Sequence, residues 1–375
     1  MNDELASVAK HITQVGPRIN EVARRSQQHK ESVRYRYRKF FLGKGMTIQA
    51  TPNYPRLGFT RLIVFAKLAP ELESRATAIF TSMSESCFLR SFTRTIIEHE
   101  YIIHVAPPRH LKEECSAVFR RFLEAGLFTE CSILEFEEFR NPPMKVEFYN
   151  FPDETWKFEW PQPGDEKPTF ALKAHEKVQK YDRFDLLILK ELEIDARRTL
   201  AQMSERVAVP VRLLQFHYLN HVEGRNLVRA YRLSWPGSRY DYEHGRPVTR
   251  KDRYVEATIL LEGATRSENA ELRVLLNRIP FLWSEAFEPN YCAEVFIPND
   301  LYIGFLEYLE DFAGRVGEKM KVFVMDQDRA LRFTISYQLF DAETKNWRLE
   351  QDSIDGMLDD LVARVKTAGS QKAAR

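Results

Sequence analysis

The sequence predicts an α+β fold in which one unit occurs twice in tandem: a winged helix-turn-helix followed by a small ferredoxin-like sandwich. Three observations predict it. Residues 5–42 and 184–222 each carry three short helical periodicities, closed by Gly43 and Gly45 in one case and Gly224 in the other. Each stretch is followed by segments that read β-α-β-β-α-β. A proline-rich connector at residues 141–173 then separates two halves of similar length.

The first helical set reads as residues 5–15, 18–25 and 29–42, and an extended basic-apolar piece at 46–50 is expected as a wing strand. The first sandwich reads as strand 59–68, helix 70–83, strands 87–93 and 97–105, helix 110–125 and strand 128–136. Its strands alternate apolar and polar positions, as a sheet with one face under helices requires. Pro142, Pro143, Pro152, Pro161, Pro163 and Pro168 mark the connector, since proline removes a backbone donor and stops helices. The second set reads as helices 184–193, 200–207 and 210–222 with a wing at 226–235. The second sandwich reads as 254–261, 267–278, 281–287, 291–297, 300–313, 321–325 and 331–337. Internal similarity is clearest where IIHVAPPRHLKEECSAVFRRFLEAG answers CAEVFIPNDLYIGFLEYLEDFAG: strand, proline, helix, glycine. Residues 353–365 place Ile354, Met357, Leu358, Leu361 and Val365 at helical spacing, and the basic tail 366–375 is expected to be irregular. The expected divisions are 1–52 and 174–235 for the winged helix-turn-helices, 53–140 and 236–345 for the sandwiches, and 346–375 for the tail.

With 44% apolar and 29% charged residues the chain can bury real cores. It has no run of 18 apolar residues, so no membrane span is expected, and its first ten residues do not read as a signal peptide. A cytoplasmic location is expected. Cys87, Cys115, Cys131 and Cys292 are far apart and form no CxxC, which argues against a zinc knuckle or a disulfide framework and for free buried thiols.

Net charge is +1, but residues 1–50 hold ten lysines and arginines against four acids. Such a local excess suits a phosphate-facing surface. On the third helix Val33, Tyr37, Phe40 and Phe41 form an inward stripe, leaving Lys30, Ser32, Arg34, Tyr35, Arg36, Arg38 and Lys39 as candidate DNA contacts. In the second set Leu214, Tyr218 and Val222 face inward, and Arg212, Gln215, His217, Asn220 and Arg225 are the candidates; its nine bases are nearly balanced by seven acids. Arg229 and Arg232, and the loop arginines and lysine at 239, 246, 250, 251 and 253, are placed to track a DNA backbone.

The stretch FDLLILKELEIDARRTLAQMSERVAVPVRLLQFHYLNHVEG resembles the N-terminal helix-turn-helix of Lrp/AsnC regulators: an acidic-apolar helix, then Asp195-Ala196-Arg197, then Leu200-Ala201, then a helix ending in Gly224. RINEVARRSQQHKESVRYRYRKFFLGKG looks like the same element, with Glu21-Val22-Ala23 and Ser32-Val33 in place. The resemblance implies duplex DNA as partner, transcription regulation, and the ferredoxin-like order after each bundle. Two departures stand. The family usually carries one unit per chain, so two copies imply an intramolecular pseudo-dimer or a homodimer of doubled chains. The family's Gly-x-Tyr-Asp turn near its amino-acid effector has no glycine here, at residues 97–101 and 288–291, so no effector is assigned.

Some relatives with this architecture are haem-pathway decarboxylases, which raises the question of an enzyme. No HExxH, GxSxG, P-loop or GxGxxG occurs. His99 and His104 have opposite parity on one expected strand, and His175, His217, His221 and His244 look scattered. No catalytic residue, metal or cofactor is expected, and the sequence reads as a non-enzyme. The expected function is a DNA-binding transcription regulator with the first recognition helix as main reader. The alternatives are a ligand- or protein-binding assembly module with vestigial DNA contact and, third, a decarboxylase-like haem-pathway enzyme.

Overall fold

The computed structural model describes residues 2–161, 176–234, 238–241, 246–249 and 253–373. The chain is α+β, with two winged helix-turn-helix units and two ferredoxin-like units in tandem. Helices α1 (Asn2–Val15), α2 (Ile19–Ser26) and α3 (Lys30–Arg36) form the first bundle. Leu5, Val8, Ile12, Val22, Val33, Tyr37, Phe40 and Phe41 are its buried stripe, the spacing that an amphipathic helix gives. The third helix does not stay α-helical to residue 42. It widens into a π turn over Tyr37–Leu42 before Gly45 reverses the chain at φ +76°. Strand β1 (Thr47–Pro52) follows.

The first sandwich consists of β2 (Arg61–Leu68), α4 (Ala76–Ser86), β3 (Leu89–Thr95), β4 (Tyr101–Val105), α5 (Lys112–Glu124) and β5 (Phe128–Phe136). The strand expected from residue 97 begins at Tyr101, because Ile96 to Glu100 make the reversal, with Ile97 exposed. A short strand β6 (Glu138–Arg140) continues from β5. Trp156, Phe158 and Trp160 of the connector pack onto the second sandwich, while residues 162–175, including His175, lie outside the described residues.

The second bundle is α6 (Arg183–Ile194), α7 (Leu200–Val207) and α8 (Val211–His217), again prolonged by a π turn, Tyr218–Glu223. Asp182 with Asp185, and Thr199 with Gln202, close capping boxes that satisfy the first free N–H groups of α6 and α7. Apart from the end of α6, which comes two residues early, every helix boundary repeats the first bundle at one constant shift, down to the left-handed residues Gln27 and Ala208, then Gly45 and Asn226. Strand β7 (Val228–Ser234) comes next. The second sandwich is β8 (Tyr254–Leu261), α9 (Arg266–Arg278), β9 (Leu282–Phe287), β10 (Tyr291–Pro298), α10 (Tyr302–Val316) and β11 (Met320–Arg332). The two strands expected at 321–337 are this single long β11, shifted in register between Asp326 and Ala330. Of the loop expected to track DNA, Arg250 and Lys251 lie outside the described residues, as does His244, and the side chains of Arg239 and Arg246 are not described. Helix α11 (Gln351–Ala373) buries Ile354, Leu358 and Leu361 in the first core and runs through most of the tail expected to be irregular.

Two pairings join the copies. The pieces expected as free wings, β1 and β7, pair antiparallel with each other, Thr47 opposite Ser234 and Ala50 opposite Tyr231. They form a ribbon between the bundles because each satisfies the other's open edge. The sandwiches share one sheet in the order β5-β2-β4-β3-β11-β8-β10-β9-β6. Its two ends, β5 and β6, are consecutive in the chain, so the sheet closes on itself as a barrel. Ile63, Phe65, Ile102, Leu134, Phe136, Leu260, Cys292, Phe323 and Met325 fill its interior.

Candidate active site

Strand alternation puts every second residue of the barrel strands inside. On the inward face of β2, Ile63 and Phe65 are preceded by Arg61; on β4, Ile102 is followed by His104; on β10, Cys292 is followed by Glu294. One end of the barrel is therefore apolar and the other is lined with charge. At the charged end lies a chamber of about 90 Å³ bounded by Arg61, Arg90, His104, Trp283, Glu294 and Arg332, with residues 49–52 and Arg232 of the β1-β7 ribbon also lining it.

The register shows which positions correspond between copies. Ile63 sits opposite both His104 and Leu134, and Thr258 sits opposite both Glu294 and Phe323. His104 and Glu294 are thus equivalent positions of the two copies, and they meet, Nε2 to Oε1, at 3.0 Å. Ser91 and Ser284, each opposite one of that pair, are equivalent too. Burial opposes the Glu294 charge, but His104, Arg332 and the donated Ser284 hydroxyl together hold its carboxyl well below the usual range.

Arg61 is the chamber's open valence. Its side chain is buried at 9% exposure, and its guanidinium lies 3.8 Å from the centroid of the Phe139 ring. Nη1 is buried without a hydrogen-bond partner among the described residues. Burial pushes the group down to about 10, so it remains cationic at neutral pH. An unmatched buried donor of this kind is costly. The chamber's carboxylates are already engaged: Glu193 accepts from Arg90 and from the Ile335 backbone N–H, and Glu294 from Ser284. Arg232 stacks on Trp283 at 3.6 Å and donates to its carbonyl. Planar, forked and desolvated, Arg61 suits a carboxylate ligand.

A wider groove of about 1150 Å³ adjoins the chamber and shares Thr51, Asn141 and Arg232 with it. Lys10, His11 and Gln14 of α1, Pro142 to Lys145 of the connector, and Tyr231 line it.

The residues predicted to touch DNA are placed as follows. Lys30, Ser32 and Tyr35 stand exposed on α3, and Arg38 and Lys39 on its π turn, with Lys39 donating to the Tyr35 hydroxyl. Arg34 pairs with Glu31, while Arg36 turns inward to Glu4 and Gln28. Arg212, Gln215 and Asn220 are exposed on the second bundle, and Arg225 donates to the Lys180 carbonyl. His217 is buried against Asp185 at 2.8 Å and offers nothing to a groove. The positions of α8 and its π turn that match Lys30, Tyr35 and Arg38 are Val211, Phe216 and Leu219, all exposed and apolar. The histidines that looked scattered are not: His217 and His221 converge with Asp182 and Asp185. Chamber residues Arg61, Arg90, His104, Glu294 and Arg332 were missed, although an arginine at inward parity on the apolar run of β2 was visible in the sequence.

No protein-family model and no curated protein matches the chain. Solved structures do. The chain is similar to the siroheme decarboxylase NirDL, with a TM-score of 0.52 at 10% identity, over 97% of this chain and 99% of that one. The same enzyme in complex with an iron-uroporphyrin III analogue gives a TM-score of 0.54 at 9% identity, over 96% and 99%. A transcriptional regulatory protein of the AsnC family from Pyrococcus furiosus matches 36% of this chain and 86% of its own at a TM-score of 0.26 and 17% identity, too weak to carry an argument. At such identities the likeness concerns the fold alone. It nevertheless corrects the expectation of a non-enzyme, because the architecture that superposes along the whole chain is that of an enzyme.

Proposed function

We propose that the chain is an enzyme of the haem-pathway kind, a decarboxylase acting on a carboxylate-bearing tetrapyrrole. The observation that carries this reading is the buried guanidinium of Arg61, with an unmatched donor in a chamber that adjoins a groove of macrocycle size. The full-length likeness to a siroheme decarboxylase supports it. In the reaction the bond between a carboxylate and its methylene carbon breaks, CO2 leaves, and that carbon takes a proton. An arginine gripping the departing carboxylate would stabilise the ground state, whose charge is about to vanish. Arg61 is therefore assigned to a retained carboxylate and orients the macrocycle. His104, held by Glu294, is the chamber group suited to deliver the proton.

Titration of the full chain with siroheme, and with an iron-uroporphyrin III analogue, tests the binding half. A shift of the Soret band is expected, and Arg61→Gln should weaken binding by about tenfold or more, the worth of a charge-assisted pair. Mass analysis of the recovered pigment should show loss of CO2 with the wild type and little with His104→Gln. No spectral change on mixing wild type with either pigment would overturn the reading.

A second reading, duplex DNA contact through α3, is supported by the exposed Lys30, Arg38 and Lys39. Its expectation is weak, strongly salt-dependent binding to random duplexes, abolished in Arg38→Ala/Lys39→Ala. Binding that persists in this variant would remove α3 from the account.

A further inference from the structure

The seam between the first and third helices of a bundle carries an ionic contact in both copies, but the chemistry differs. In the first bundle Glu4 of α1 pairs with Arg36 of α3 at 2.6 Å. At the matching positions of the second bundle stand Asp185 and His217, joined by Asp182 and His221. The carboxylate of Asp185 is fully buried. His217 Nδ1 lies 2.8 Å from its Oδ1 and 3.5 Å from Oδ1 of Asp182. His221 Nδ1 lies 3.0 Å from each oxygen of Asp185. One ligand atom from each of the four residues falls within 4.8 Å of the others.

Local structure explains the convergence. Asp182 caps α6 and Asp185 stands three residues on, so both carboxylates belong to the first turn of that helix. His217 and His221 are four residues apart where α8 passes into its π turn, and so share one face, their ring centroids 4.8 Å apart. In the first bundle the acid at the matching position, Glu4, is exposed and pairs with an arginine. Here two acids are set together, and among the described residues their ion pairs are with the two imidazoles alone. Two imidazole nitrogens aimed at one carboxylate, with a second carboxylate alongside, are a metal donor set. In a tetrahedral zinc site with bonds of about 2.0 Å, neighbouring ligand atoms are roughly 3.3 Å apart. The three contacts of 2.8, 3.0 and 3.5 Å bracket that spacing.

We propose that Asp182, Asp185, His217 and His221 form a binding site for a single divalent transition ion of the zinc class, which ties the first helix of the second bundle to its third. Nitrogen and carboxylate donors in this number favour zinc and its neighbours cobalt and nickel over calcium or magnesium, which take oxygen cages. Four protein ligands leave no open position, so the ion is structural. Asp182 is partly exposed and gives it a way in. The site shares α6 with the chamber residue Glu193 but none of its four ligands lines the chamber, and it does not depend on the proposed decarboxylase reading.

The test uses the full chain, stripped with a chelator and then titrated with Zn2+ and separately with Co2+. Elemental analysis should recover one zinc per chain. Co2+ should give the intense visible absorption of a tetrahedral nitrogen-oxygen site. Zn2+ should raise the melting temperature. Asp182→Asn keeps the helix cap and removes an anionic ligand; His221→Gln removes a nitrogen at the less buried edge. Each should weaken zinc binding by about tenfold or more while circular dichroism stays that of the wild type. His104→Gln should leave the metal content unchanged. Substoichiometric zinc, a cobalt spectrum without tetrahedral bands, or equal zinc affinity in wild type and both ligand variants would each overturn the proposal and leave a hydrogen-bonded network.

Discussion

Glu256 stands 3.6 Å from Arg332, buried at the charged end of the barrel. Burial raises its carboxyl to about 7, with Arg332 pulling the other way and Glu294 adding to the rise. Because the folded value lies above the unfolded one, the folded chain holds a proton that the unfolded chain releases. Native stability should therefore fall as pH rises from about 4.5 to about 7 and level off beyond. Denaturant melts across that window should show the slope, and Glu256→Gln should flatten it; an unchanged slope would remove Glu256 from the account. Glu294 acts with the opposite sign, since its depressed carboxyl contributes stability that is lost on acidification. Residues of this kind are the least legible in a sequence. His104 reads as an ordinary strand histidine until its partner, 190 positions away in the other copy, is brought to it by strand register.

Helices and most strands were legible because apolar spacing and capping residues are local signals. The predicted helix 200–207 and strand 128–136 have the observed limits, Leu200–Val207 and Phe128–Phe136. The π turns were not legible, since one extra residue per turn leaves the apolar stripe nearly intact. Nor was the fate of the wings: an isolated strand does not announce its partner. The ribbon they form makes a demand on α1. Gly16, at φ +75°, lies so close to Tyr231 of β7 that a Cβ there would come within 2.8 Å of the ring. Gly16→Ala should therefore cost about 1–3 kcal/mol by denaturant unfolding, from left-handed strain plus overlap. Adding Tyr231→Ala should recover only the overlap part; full recovery would mean that the backbone there is unstrained.

At the scale of the molecule, tandem duplication was readable but barrel closure was not, because it rests on pairs between residues far apart in sequence. Arg140 on β6 meets the buried Glu285 on β9, and Asn277 and Tyr291 complete that carboxylate's hydrogen bonds. With β6, β11 and the ribbon each spanning both copies, the halves should not melt separately. A single cooperative transition is expected by calorimetry, and Arg140→Ala should lower its midpoint without splitting it; two resolved transitions would mean that the copies are independent folding units. The meeting of His104 with Glu294 has a further meaning. Two separate identical chains related by a two-fold axis must present the same side chain twice at corresponding positions, histidine to histidine or glutamate to glutamate. Covalent fusion lifts that obligation: each copy is free to diverge, and a proton donor can face its own counter-charge across what would otherwise be a symmetry axis. On the proposed decarboxylase reading the doubled chain thereby has one polarised site in place of two equal half-sites, and saturation is expected at a single macrocycle per polypeptide.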